Sequence, residues 1–429
     1  MPKGLNLLIV ECLILIVVPL KPLIDMKRCT LTLLGLCLAH WVFAQASFMT
    51  VSPHDTDSLI DQGNIDHHIY IPTASTAQGK CFVFFPGTNA SPDMYDEIVQ
   101  TAAEEGYHAI GLAYPNGTSI SSLCSTDSDS LCSEKARTEI ITGEDLHPTI
   151  MVDEHNCIEN RLLRLLQYLH TNYQNYGWDD FFTGDSLNWD KIAFSGHSQG
   201  GGHAALVARA HVVNRVLFFN SPTDKQDVYG LPSWISPEHL TPASRYYAFF
   251  HQQNLGPRRI EVYTLFGMMA WGNEVNADIT PSPYNGGHVL YSDTSTFDHN
   301  AYVNQSGWNE HSDIIVDHEL PIDVNSETPY KVVWQYMLTH EETTALEPLA
   351  FEELGKVYPN PCYASLKIEV ETAGSKQYAL YTIEGELLMQ GKFDEPFMDL
   401  SVEELPKGLY LLTLQSDKGY ASVRFLKGE

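Results

Sequence analysis

The segment Gly196-His197-Ser198-Gln199-Gly200, continued by Gly201 and Gly202, constrains the fold of this chain more than any other. It directly follows the apolar run Ile192-Ala193-Phe194 and precedes a stretch of small residues reaching Ala210. A strand must turn sharply into a helix at Ser198, and the flanking glycines remove Cβ atoms that would collide there. Ser198 is then held in a strained backbone region, its hydroxyl at the carboxyl end of a sheet, where a helix N-terminus favours negative charge. A serine so placed is a candidate nucleophile.

Around this turn, strand and helix signals alternate from about residue 67 to 345. Short β-rich runs occur at 67–71, 80–85, 107–114, 191–196, 215–220, 245–251 and 288–291. Helical stretches are predicted near 93–105, 156–176, 199–210 and 330–338, the second carrying Leu162, Leu163, Leu165, Leu166 and Leu169 at helical spacing. Alternation of this kind predicts an α/β fold with a mostly parallel sheet over residues 47–345. With 44% hydrophobic residues the chain can fill a core of that size. From Leu354 the pattern changes to short alternating runs separated by turns, which predicts a small antiparallel β-sandwich over 354–429, after a linker at 346–353.

The N-terminus differs again. From Met26 the order is basic (Lys27-Arg28), apolar for about 15 residues, then Ala44-Gln45-Ala46, the layout of a secretory signal peptide. Cleavage is expected after Ala46, with residues 1–25 an extension from an early start codon. Cys12, Cys29 and Cys37 leave with this region, and Cys81, Cys124, Cys132, Cys157 and Cys362 remain. In an exported chain, Cys124 and Cys132 enclose a Ser/Asp-rich segment that a disulfide would tether. Cys81, inside an apolar run, reads as a buried small hydrophobe. The balance of 25 Lys+Arg against 54 Asp+Glu, a formal charge of −29, excludes nucleic acid as partner. No metal or cofactor is predicted. The Asp/His-rich stretch from Asp293 to His318 reads as solvated acidic surface rather than a cation loop.

A serine nucleophile needs a base, and the base an orienting acid. If the order is Ser, acid, His, only residues after 198 qualify. Asp224, in the loop after the run 215–220, is the predicted acid; the slot after the next strand holds Asn254, which could hold an imidazole ring but brings no charge. For the base, His311 is favoured over His299. Backbone N–H groups of Thr88 and Gln199 are the predicted oxyanion donors. His197, His251 and Trp234 are expected to contact substrate, and the segments 115–150 and 221–243 to form a cap over the pocket.

The segment 67–340 resembles the α/β-hydrolase superfamily through FFPGTNA (84–90), the stretch DKIAFSGHSQGGGHAAL (190–206), and the downstream Asp and His. It looks more specifically like secreted bacterial hydrolases. The resemblance implies an extracellular serine hydrolase, acting on a small-molecule or polymer carboxylic ester through an acyl-enzyme. Asn254, where many members of the superfamily carry Asp, departs from the pattern. The alternative is a non-catalytic surface or carbohydrate-binding protein on the same scaffold. Separately, Val357-Tyr358-Pro359-Asn360-Pro361, Leu380-Tyr381 with Gly385, and Leu405-Pro406-Lys407-Gly408-Leu409-Tyr410 resemble the sorting domain of the type IX secretion machinery of Bacteroidota. That resemblance implies secretion or display at the cell surface, with no stable membrane span after processing.

Overall fold

The computed structural model describes residues 46–225, 230–236, 238–255, 259–304, 306–341, 354–370, 374–382, 387–416 and 419–428. The expected leader as far as residue 45 and the linker at 346–353 lie outside the described residues.

Eight strands build the main sheet: β1 Ser47–Val51, β2 His67–Ile71, β3 Cys81–Phe85, β4 His108–Gly111, β5 Ile192–His197, β6 Arg215–Phe219, β7 Tyr246–His251 and β8 Val289–Ser292. Their order across the sheet is β1-β2-β4-β3-β5-β6-β7-β8, with the two-residue strand Val275–Asn276 beyond β8. The β1/β2 and β2/β4 pairs are antiparallel, and every pair from β4 to the far edge is parallel. Parallel strands are covered on both faces and so read as unbroken apolar runs. In β3, Val83 and Phe85 enter one core cluster while Phe82 and Phe84 enter the other.

Besides the single turn Pro53–Thr56, the helices among the described residues are α1 Asp96–Glu104, α2 Ile120–Cys124, α3 Cys132–Thr142, α4 Ile158–Asn172, α5 Gln199–Ala210, α6 Gln252–Leu255, α7 Arg259–Leu265 and α8 Lys331–Thr339. α4 and α5 supply Leu162, Leu165, Ala204 and Val207 to the first cluster, and α1 and α8 supply Ile98, Val99, Trp334 and Met337 to the second. The apolar spacing predicted α4 and the run of small residues after Ser198 predicted α5, while α2 and α3, which occupy the segment expected as a cap, left no such signal. A disulfide joins Cys124, the last residue of α2, to Cys132, the first of α3, with Cα atoms 5.6 Å apart. Cys81, Cys157 and Cys362 are buried free thiols.

The C-terminal part holds two antiparallel sheets. β9 Gly355–Tyr358, β10 Ser365–Val370 and β13 Phe397–Ser401 form one; β11 Lys376–Thr382, β12 Leu387–Phe393, β14 Gly408–Gln415 and β15 Tyr420–Lys427 form the other. Leu366, Ile368, Leu412, Leu414 and Phe425 fill the space between them. Alternation along β14 sends Leu411 the opposite way, and it joins Tyr381 in the core cluster of the α/β domain. Arg424 Nη2 of β15 lies 2.8 Å from Glu261 Oε1 of α7, so contacts of both kinds tie the β part to the α/β part. Among the described residues no helix is long and apolar enough to cross a membrane.

Candidate active site

β5 ends at His197 and α5 starts at Gln199, so Ser198 alone makes the turn, at φ 52° and ψ −115°. A non-glycine residue is held there only where its surroundings over-determine it. They do so through close packing: a Cβ on Gly200 would lie 2.0 Å from the Phe85 carbonyl oxygen, and one on Gly196 would lie 2.3 Å from the carbonyl carbon of Gly200. The Ser198 N–H donates to the Phe219 carbonyl of β6 at 3.0 Å.

Ser198 lines a cavity of about 180 Å³ together with Thr88, Met94, His311, Val316 and Glu319. His311 reaches it from the loop beyond β8. Its Nδ1 lies 3.1 Å from Asn254 Oδ1 at the start of α6. The amide oxygen can only accept, so Nδ1 carries the proton and Nε2 the lone pair. Burial holds the His311 pKa below its ordinary value, favouring the neutral ring.

The expectation that Asp224 orients this ring is corrected. Arg137 of α3 occupies both Asp224 oxygens, with Nε at 2.7 Å and Nη2 at 2.5 Å, in a fully buried pair. A guanidinium buried at this depth needs a carboxylate, and the loop after β6 delivers one to α3 rather than to His311. The third arm of Arg137, Nη1, donates to the Gln199 carbonyl at 2.8 Å. His299 lies apart from the cavity, its Nε2 3.1 Å from the Thr294 carbonyl and its ring edge-on to Trp308.

The substrate-contact expectations fare differently. Trp234 is buried with its Nε1 donating to Ser133 Oγ at 3.1 Å, and its ring lies under the Arg137 guanidinium. His251 is also buried, its Nε2 3.9 Å from Asp313 Oδ2. Neither lines the cavity, nor does any described residue of 115–150 or 221–243. Within the first segment, α2 and α3 are joined by the disulfide and α3 packs against α4 and α5. His197 does line the cavity, yet both its ring nitrogens are engaged: Nδ1 with Tyr95 Oη at 3.0 Å and Nε2 with the His311 carbonyl at 2.8 Å. The stretch expected as acidic surface is partly interior. Asp313 is 1% exposed, its carboxyl pushed up to about 8 by burial and then by neighbouring acids. Asp317 accepts the Asp96 N–H at the start of α1, at 2.7 Å.

In the loop after β3, Gly87, Thr88 and Ala90 line the cavity, and residues 87–90 offer four N–H groups. Those of Gly87, Asn89 and Ala90 are taken by Tyr95 Oη, the Asn116 carbonyl and the Gly87 carbonyl. The Thr88 N–H has no acceptor among the described residues, and Thr88 Oγ1 donates to Gln199 Oε1 at 3.0 Å. The same Gln199 oxygen accepts the Ile120 N–H of α2 at 3.0 Å. Thr88 and Gln199 are thus held side by side, with the N–H of Gln199 at the first turn of α5. The Ser198 hydroxyl makes no hydrogen bond among the described residues. His147 Nε2 lies 3.4 Å from Cys132 Sγ, but the disulfide leaves that group no thiolate for a metal.

Tyr95, Arg137 and Asn254 carry this arrangement and are far from Ser198 in sequence; of the three, only Asn254 stood at a recognisable slot.

The class the fold defines is a mostly parallel α/β domain with a serine at a strand-to-helix turn, followed by a separate antiparallel β part. Residues 356–427, spanning that β part, match the secretion system C-terminal sorting domain. A domain of this kind implies handling by the type IX secretion machinery and directs the chain out of the cell, to secretion or to the cell surface. No curated protein matches the chain. Among solved structures, it is similar to an esterase of the hyperthermophilic archaeon Pyrobaculum calidifontis, at 15% identity and a TM-score of 0.23, over 41% of this chain and 45% of that one. It is also similar to the apo form of Thermogutta terrifontis esterase 2, at 17% identity and a TM-score of 0.23, over 40% of this chain and 55% of that one. The chain spans about half the length of these structures.

Proposed function

We propose that the protein is an extracellular serine hydrolase of the α/β-hydrolase fold, acting on carboxylic esters. The observation that carries the reading is Ser198 at its strained turn, sharing one cavity with a histidine whose ring is held by a second side chain. Ser198 Oγ attacks the acyl carbon while His311 Nε2 takes its proton. The oxygen that becomes negative is received by the N–H groups of Thr88 and Gln199. His311 returns the proton to the departing alcohol, and water, activated the same way, releases the acid from Ser198. Asn254 fixes the ring tautomer without adding charge. This assigns to Asn254 the place expected for Asp224.

A second reading, a binding protein on the same scaffold, is favoured by one feature: among the described residues no carboxylate is hydrogen-bonded to the His311 ring, whose Nδ1 partner is Asn254. A fluorophosphonate probe separates the two. Labelling of the protein and its loss in Ser198→Ala is the expected result, with p-nitrophenyl acetate hydrolysis lost in parallel. Equal labelling of both forms, or none, would sink the hydrolase reading.

A further inference from the structure

The residue before the nucleophile has no part in bond making, yet it is among the most constrained in the site. His197 is 3% exposed. A carbonyl only accepts, so the 2.8 Å contact with the His311 carbonyl puts the proton of His197 on Nε2 and leaves Nδ1 as acceptor. Tyr95 must then donate its O–H to Nδ1, which leaves the Tyr95 oxygen to accept the Gly87 N–H at 3.3 Å. One chain of bonds, from Gly87 through Tyr95 and His197 to His311, joins the loop bearing the oxyanion donor to the loop bearing the base. Burial, followed by the nearness of His311, pushes His197 down to about 3, so it stays neutral and keeps this tautomer at any working pH. The His311 carbonyl has a second donor, Asn220 Nδ2 at 2.8 Å, which also holds the Glu310 carbonyl at 3.1 Å. Asn220 secures the loop to β6, but its hydrogen bonds run to Glu310, His311, Phe249 and His251 and not to Gly87 or Tyr95.

We propose that His197 is the positioning residue of this site: in a single tautomer it sets the separation between the Thr88 donor and the His311 base. The proposal rests on the hydrolase reading and adds to it a side chain that acts only through others. Such a role has a distinctive signature, because misplacing catalytic groups by about 1 Å costs roughly 100-fold in rate with binding little changed.

The full chain is compared with His197→Phe, His197→Gln and Tyr95→Phe, using p-nitrophenyl acetate turnover, the rate of fluorophosphonate labelling and thermal unfolding. His197→Phe should lower kcat and the labelling rate by about 10- to 100-fold while KM changes less than about threefold. His197→Gln, whose amide can still donate to the His311 carbonyl, should recover most of that loss at an unfolding temperature similar to that of His197→Phe. Tyr95→Phe should fall between them. Full kcat in His197→Phe overturns the proposal, as does equal loss in the Phe and Gln variants. If His197→Phe does not fold, full kcat in Tyr95→Phe overturns it. Absent Ser198-dependent labelling of the unsubstituted protein overturns the hydrolase reading and this proposal together, whereas labelling indifferent to His197 overturns the positioning role alone.

Discussion

Asn254 stands 3.1 Å from His311 Nδ1, where a charge would have its largest effect on the base. The sign of the pH response follows from burial. Desolvation lowers the His311 pKa below 6.5, and in the proposed mechanism the base works only when neutral, so kcat/KM for p-nitrophenyl acetate should hold its plateau to below pH 6.5 and fall on further acidification. In Asn254→Asp a carboxylate within hydrogen-bonding distance should favour the charged ring and raise that pKa, moving the acidic limb upward. A pH–rate profile of the two forms checks this; an unmoved limb would show that residue 254 does not touch the working base. The turn at Ser198 and the helix start at Gln199 were legible because their signal is local, spelled out by adjacent glycines. Asn254 was visible but ranked below Asp224, because sequence order does not say which loop reaches a given ring, and the Arg137 that claims Asp224 is contributed by a different helix.

Helix α3 shows why part of the fold was illegible. Its sequence, CSEKARTEIIT, has no clean apolar stripe, since Arg137 and Glu139 both point inward. Each is satisfied by groups outside the helix: Arg137 by Asp224 and Gln199, and Glu139 by the backbone N–H groups of Leu146, His147 and Val152 in the segment that follows. Periodicity reports apolar burial, so a helix that buries paired charge escapes it. The strands of the main sheet were legible for the opposite reason, being buried on both faces and apolar throughout. The packing around Arg137 is tight enough that a Cβ on Gly202 of α5 would lie 2.4 Å from its guanidinium carbon. Removing the cation strands a buried carboxylate, so Arg137→Ala should lower stability by about 3–5 kcal/mol in urea unfolding. A loss below about 1 kcal/mol would mean that the pair is dispensable to α3 and the turn at Ser198.

At the scale of the whole molecule, the sorting domain is more than an appended address, because Tyr381 and Leu411 share the core cluster of the α/β domain and Arg424 reaches Glu261. Burying one leucine is worth about 2 kcal/mol. Leu411→Asp in the full chain should therefore speed release of the C-terminal part in limited proteolysis by on the order of tenfold, with Ser198 labelling unchanged. Identical cleavage rates would mean that the contact adds nothing to protection. The division into two parts was legible from the change in strand pattern near Leu354, but this contact was not, since Leu411 and Leu412 are the same residue type and only the pleat decides which faces the larger domain. One further consequence comes from the Cys124–Cys132 bridge. It clips α2 to α3, and those helices hold the two ends of Gln199, its side-chain oxygen through Ile120 and its carbonyl through Arg137. Thiols stay reduced in the cytoplasm and pair outside it, so the covalent brace behind the turn at Ser198 is fastened only after the chain has left, and the journey itself serves as the last step of assembly.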